Sequence, residues 1–246
     1  MSIKNESSCN ICGEKKFQQK MCENCGSESR HRLLYSTLEK YGYLNKKTTF
    51  ENIRVLHISP DPGIVNNLFS IIGSGYYLSD YKSKYYENYN ENLPIPFLRL
   101  KLPDDIRIFS DNYFDLIIHS SVLEHIPGKY VDHLTELVRI LKPKGRMIFH
   151  VPLAKDFLST KTIEGGEFLT SDEERILIHG ENDHYKTFGY DFFVEIKKLN
   201  GNFCVETFTE EFKKSIEAFH VKITHLNQLT TIFTFTKNEN TQESSN

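Results

Sequence analysis

The chain has 246 residues, 39% of them hydrophobic, enough for one full-sized domain with a small appendage around a sizeable core. No run approaches the roughly eighteen apolar residues that cross a bilayer, and the opening "MSIKNESSCN" lacks the apolar stretch of a secretory signal, which predicts a cytoplasmic protein with no membrane partner. The formal net charge is −3, but residues 1–50 carry nine Lys/Arg against five Asp/Glu, so a head of +4 precedes a body of −7. Such an imbalance fits an RNA-touching module, yet it is more often a solvated surface.

Cys9, Cys12, Cys22 and Cys25 are spaced C-x2-C-x9-C-x2-C. Each C-x2-C pair can turn back so that two thiolates meet one ion, and two pairs complete a tetrahedral sulfur site suited to zinc. Four protein ligands leave no open position, so this metal is expected to organise residues 1–29 and not to activate water. Cys204, in the strand-like "NFCVETF", reads as a small buried hydrophobe.

After the quartet, Leu33, Leu34, Leu38 and Tyr41 recur at helical spacing, with Ser27 or Ser29 available as a cap. Residues 30–50 are expected to form a linking helix between the zinc module and a main domain over 51–237, followed by a disordered tail at 238–246. Short apolar runs then alternate with amphipathic stretches. The runs are "IRVLHI" (53–58), "GYYLSD" (75–80), "PFLRLKL" (96–102), "FDLIIHS" (114–120) and "GRMIFHVP" (145–152). Val131, Leu134, Leu137, Val138 and Leu141 form one face of a helix expected to end at Lys142, before Pro143. Ser171 reads as a helix cap, "DFFVEIKKLNG" as a helix, and "NFCVETF" and "LTTIFTFTK" as two final strands. "YKSKYYENYNEN" reads as a polar loop. This order predicts an α/β fold: a doubly wound, mostly parallel seven-stranded sheet with right-handed crossovers and a small N-terminal zinc-binding module.

In such sheets ligands settle beyond the carboxyl ends of the strands where strand order reverses. The turns to inspect are "HISPDPG", "SDYKS" and "HSSVLEHIPG". Asp80 ends the second run, about 20 residues after the first turn, the offset at which an acidic residue takes ribose hydroxyls. It is equally the kind of residue that merely ends a strand.

"FDLIIHSSVLEHIP" followed by "HLTELVRILKPKGRMIFHVP" resembles the fourth and fifth strands of class I S-adenosylmethionine-dependent methyltransferases, with their "VLEH" and "LKPGG" signatures. "CENCGSESRHRLL", "VLHISPDPG" and "SDEERILIHGENDHYKTFGYDFF" further resemble a bacterial subgroup with an N-terminal cysteine knuckle. The resemblance runs from Cys9 to about Lys237. It implies a Rossmann-like methyltransferase fold and S-adenosylmethionine as cofactor. In the broad superfamily the first turn is glycine-rich, whereas here His57 takes the usual acidic position, Ser59 and Asp61 replace two glycines, and Gly63 remains. The subgroup it resembles also has a glycine-poor turn, stiffened by proline.

The resemblance therefore implies a cofactor site of His57, Ser59, Pro60, Gly63, Asp80, Tyr81, Asp104 or Asp105, Ser120 and Glu124, with the cofactor's carboxylate at the positive end of the helix starting near Pro62. His125 matches a position lining the cofactor and acceptor pocket. His184 matches the subgroup's downstream signature and is the candidate general base, with Asp183 orienting it or contacting substrate and Lys186 pairing with an anionic group. Ser121 stands where the subgroup often has histidine, and His119 sits on the other strand face. The expected acceptor is a small molecule or sugar-containing metabolite methylated on oxygen or nitrogen. The alternatives are an RNA or protein methyltransferase gripping its target through Lys15, Lys16, Lys20, Arg30 and Arg32, or a binding protein that has kept the fold and lost catalysis.

Overall fold

The computed structural model describes residues 8–19, 21–45, 52–81, 95–153, 159–162, 171–206 and 232–239. The polar loop expected over 81–92 and the tail over 238–246 lie almost wholly outside them.

The N-terminal module is a two-stranded ribbon, β1 (Phe17–Gln18) against β2 (Met21–Cys22), leading into α1 (Ser29–Lys40). The main sheet has seven strands: β3 (Val55–Ile58), β4 (Tyr76–Asp80), β5 (Phe97–Arg99), β6 (Phe114–Ser120), β7 (Leu141–His150), β10 (Gly201–Val205) and β11 (Phe233–Lys237). Their order across the sheet is β10-β11-β7-β6-β3-β4-β5. Strands β3 to β7 pair in parallel, while β11 runs antiparallel to both β7 and β10. A minor ribbon joins β8 (Lys161–Thr162) to β9 (Lys186–Thr187).

Every residue of β3 is buried because a central parallel strand is covered on both faces. Period-two alternation sorts the side chains: Leu56, Ile58, Ile117, Met147 and Phe149 face one core with α3 (Tyr130–Ile140) and α5 (Asp191–Ile196). Val55, Tyr76, Leu116, Ile118 and Ile148 face the other, with α1 and α2 (Pro62–Ile72). Thus α1 does more than link: Leu33, Leu34 and Leu38 are fully buried in the sheet's own core. The remaining helix, α4 (Asp172–His179), starts at Ser171, whose hydroxyl accepts the Glu174 N–H.

Three local expectations need correction. The cap of α1 is Glu28, not Ser27 or Ser29. Helix α3 ends at Ile140, and Leu141 already pairs with Phe114 in the sheet, because proline forces the preceding Lys142 out of helical geometry. Cys204 is exposed, since alternation along β10 turns Phe203 and Val205 inward and its own thiol outward.

The junction of α3 and β7 is satisfied by one cation. Lys237 Nζ donates to the carbonyls of Leu141 (2.8 Å) and Arg139 (3.1 Å) and to Asn112 Oδ1 (2.8 Å). Replacing Lys237 by Met strands these acceptors, and urea unfolding should show a loss of about 1–3 kcal/mol. Two strand histidines are also buried: desolvation pushes His57 down to about 4 and His119 to about 3. The unfolded chain takes up protons there as pH falls below about 6.5, while the folded chain does not. Stability should therefore decline with falling pH from about 6.5, by up to about 1.4 kcal/mol per pH unit for each group. Denaturant titrations across pH 4–7 should give a shallower slope in His119→Leu.

Candidate cofactor cleft and metal centre

Gly13 and Gly26 follow Cys12 and Cys25 with φ of +79° and +68°, a left-handed geometry that glycine adopts without a Cβ clash. They fold each C-x2-C pair back, Gly13 N–H donating to the Cys9 carbonyl (2.7 Å) and Gly26 N–H to that of Cys22 (2.9 Å). The four Sγ atoms then converge within 4.8 Å of one another. Cys9 and Cys25 lie 3.7 Å apart, Cys12 and Cys22 3.5 Å. Zinc–sulfur bonds of about 2.3 Å in a tetrahedron imply sulfur–sulfur edges of about 3.8 Å, so the cluster fits zinc. Burial pushes the Cys25 thiol up to about 12, a penalty that a coordinated dication reverses by holding the thiolate.

Arg32 stands behind this cluster, fully buried, its guanidinium 4.9 Å from the Phe17 ring centroid and donating to the Ser27 carbonyl. Its charge acts on Cys9, Cys22 and Cys25, offsetting the negative knuckle. That burial goes against the alternative in which Arg32 grips RNA and agrees with a packing role for "SRHR" between module and domain. Asn10 ties the knuckle to α1 through the Arg32 carbonyl (2.8 Å) and Ser36 Oγ (2.7 Å).

The knuckle sits on the first turn of α2. A Cβ on Gly63 would lie 3.3 Å from Ile11 Cγ2 and 3.6 Å from Cys25 Sγ. Asp61 caps the helix by accepting the Gly63 N–H at 3.1 Å, and His31 Nδ1 approaches its Oδ2 at 2.7 Å. The helix end expected to receive the cofactor's carboxylate is therefore already served by Asp61 and backed by the knuckle. Gly63 packs closely against the knuckle.

The strand order reverses between the paired strands β3 and β6, whose connections lead to β4 on one side and β7 on the other, the part of the rim where a ligand settles in such sheets. Ser59 and Ser121, each following its strand, take φ of +50° and +54°. Ser59 N–H donates to the Ser79 carbonyl (2.7 Å), and Pro60 is buried behind the turn. Three buried polar atoms here have no hydrogen-bond partner: Ser79 Oγ, Ser120 Oγ and Glu124 Oε2. Orphaned buried polar atoms at strand ends fit a polar ligand. Asp80 ends β4, and Tyr81 beside it is exposed, with the Arg99 guanidinium 5.6 Å from its ring centroid. Asp105 Oδ2 accepts the Lys101 N–H at 2.7 Å, so of the two candidates on that turn its carboxylate is committed to the backbone. Asp104 is exposed and acts on His133. His57 does not reach the rim: its Nδ1 lies 2.7 Å from Tyr76 Oη inside the core. His119 is likewise interior, stacked on Phe149 at 4.9 Å.

The segment after α4 docks on the turn after β6. Tyr185 N–H donates to the Glu124 carbonyl (2.8 Å), and His125 Nδ1 lies 3.1 Å from the Asp183 carbonyl and 3.3 Å from its Oδ2. His125 and His184 meet edge to face at 4.7 Å. Desolvation lowers the His184 pKa, with His125 adding to the effect, and burial pushes the Glu124 carboxyl up to about 8. Lys186 was expected to bind an anionic group, but its ammonium is buried and donates to the Ile126 carbonyl. Arg30 was missed as a rim residue: it pairs with Glu28 at 2.6 Å and lies near enough to Glu124 to act on its charge. The only signal for it was the run "SRHR", whose alternate residues the helix sends to different neighbours.

Chelation of the knuckle metal should lower the melting temperature and release residues 8–29 from α2, read by circular dichroism and amide exchange. Cys22→Ser should reproduce both effects.

Residues 63–149 match a family described as a methyltransferase domain. Among solved structures, a SAM dependent methyltransferase from Archaeoglobus fulgidus superposes with a TM-score of 0.51 at 15% identity, covering 84% of this chain and 93% of that one. The Burkholderia thailandensis 1,6-didemethyltoxoflavin-N1-methyltransferase, solved with S-adenosylhomocysteine, gives 0.52 at 11% identity, with 86% and 79% covered. The CurJ carbon methyltransferase gives 0.50 at 13%, with 76% of this chain covered, and this chain spans about half (49%) of that one. No curated protein matches the sequence. Among the described residues no helix is long and apolar enough to cross a membrane. The domain match over residues 63–149 supports a class I S-adenosylmethionine-dependent methyltransferase, the sheet order and the solved structures give the chain a Rossmann-like methyltransferase fold, and its four N-terminal cysteines are placed to hold a metal ion.

Proposed function

We propose that the enzyme methylates an oxygen or nitrogen of a small molecule or sugar-containing metabolite in the cytoplasm, with the acceptor held at the Glu124, His125 and His184 corner of the rim. The observation that carries this reading is the set of orphaned buried polar atoms on Ser79, Ser120 and Glu124, which a polar ligand would satisfy. S-adenosylmethionine supplies an electrophilic methyl on sulfonium, so the protein's task is to orient the acceptor and exclude water.

Asp80 is assigned to the ribose hydroxyls and Asp104, whose neighbour is committed elsewhere, to the adenine side, with Tyr81 beside them. Arg30 is assigned to the cofactor's carboxylate, since α2 is already capped by Asp61. The docked 183–186 segment brings His184 to the acceptor end and shields it from water. The burial of Arg32 and the seating of the knuckle on Gly63 favour a small acceptor over an RNA gripped by the module.

Calorimetry should show S-adenosylmethionine binding that Asp80→Ala weakens at least about tenfold, about 1.4 kcal/mol. His184→Ala should leave that affinity within about twofold while lowering methyl transfer about a hundredfold. Methyl-labelled cofactor incubated with cell extract should deliver label to the low-molecular-weight fraction. Label in RNA or protein would favour the gripping module, and no cofactor binding would favour a chain that has kept only the fold.

A further inference from the structure

Glu124, His125 and His184 form a second convergent donor set, with ligand atoms all within 4.8 Å of one another. Nothing in the cysteine knuckle contributes to it. Glu124 is 1% exposed and its Oε2 has no hydrogen-bond partner. Ser121 and the Glu124 backbone serve the carboxyl, but a buried carboxylate oxygen left without a partner is costly, and in proteins the cost is met by a paired cation, a bound metal or a retained proton. The guanidinium of Arg30, whose charge acts on Glu124, is paired with Glu28 at 2.6 Å.

The two imidazoles are arranged as ligands commonly are. His125 Nδ1 has the Asp183 carbonyl at 3.1 Å and Asp183 Oδ2 at 3.3 Å. A proton kept on Nδ1 for these acceptors leaves the lone pair on Nε2, the carboxylate–histidine support that fixes the tautomer of metal ligands. His184 lies edge to face against it at 4.7 Å. The segment carrying His184 is pinned to the turn carrying Glu124 by the Tyr185 N–H (2.8 Å) and by the Lys186 ammonium on the Ile126 carbonyl. The three donors therefore have a backbone frame that does not depend on the ligand.

We propose that Glu124, His125 and His184 bind a divalent first-row transition ion that holds a hydroxyl acceptor for methylation. Two imidazoles and one carboxylate are the donors such ions prefer over calcium or magnesium, and three protein ligands leave positions open for substrate. The idea rests on the methyl-transfer reading and deepens it by naming the acceptor class. It also replaces the proton-accepting role expected of His184, because an imidazole that ligates an ion has no lone pair left for a proton. The ion would acidify the acceptor hydroxyl, whose proton passes to solvent. An oxygen lone pair then forms the bond to the methyl carbon as the carbon–sulfur pair returns to sulfur, so the sulfonium leaves as a neutral thioether.

The test uses the full chain with its cysteine site loaded with zinc and titrates it with Mn²⁺ in the absence of cofactor, following the free-ion signal by electron paramagnetic resonance. We expect one Mn²⁺ per chain, with affinity falling at least tenfold in His125→Ala, His184→Ala and Glu124→Gln. Melting curves taken in parallel identify any variant that fails to fold, and Glu124→Gln keeps the shape of the side chain. Failure of Mn²⁺, Co²⁺ and Ni²⁺ alike to bind the zinc-loaded chain would overturn the proposal, as would binding that the folded variants leave unchanged. Cofactor binding measured on the same samples separates the two ideas: an ion bound by a chain that ignores S-adenosylmethionine keeps the metal site and removes its part in methyl transfer.

Discussion

The seating of the cysteine knuckle on the first turn of α2 is the constraint on which the rim depends. A turn with few glycines has to obtain its shape from outside. Here the left-handed Ser59 makes the bend, Asp61 caps the helix, and Ile11, Cys25 and His31 press on the same turn from the module. The module is thus part of the wall behind the cleft. Its metal acts at a distance, by keeping four thiolates together so that Ile11 and Cys25 remain where the helix needs them.

Helix α1 makes this possible, because successive residues of its first turn go to separate tasks. Arg30 pairs with Glu28 while its charge acts on Glu124, His31 meets Asp61, and the charge of Arg32 acts on the thiolates. Its apolar residues meanwhile fill the core beneath β3 and β6. One helix therefore anchors the metal, braces the turn and supplies a cation to the rim, and a shift of its register would disturb all three together.

Much of the fold was legible in the sequence. "VLHI" and "FDLIIHS" stand out as short unbroken apolar runs because both faces of a central parallel strand are covered. The cysteine spacing identified its cluster for a local reason, each pair closing over two residues. What stayed hidden was mutual occupation. Nothing in "DHYK" says that the ammonium of Lys186 will be consumed by a carbonyl sixty residues away, nor that His57 will be claimed by Tyr76. The meeting of Glu124 and His125 with His184 is likewise decided by backbone pairing between distant segments. Spacing reveals partners within a turn or two; partners across the sheet become visible only once the chain is folded.

The place of β11 in the sheet has its own consequence for how the protein is made. This strand comes last along the chain, yet it lies between β7 and β10. As the polypeptide leaves the ribosome, β7 must wait with the backbone groups of residues 146–149 unpaired on one side until residues 233–236 arrive to pair with them. β10 in turn has no place to dock before them. The nascent chain therefore passes through a stage with an unpaired strand edge, the kind of surface that chaperones shield and that invites misassembly between neighbouring copies.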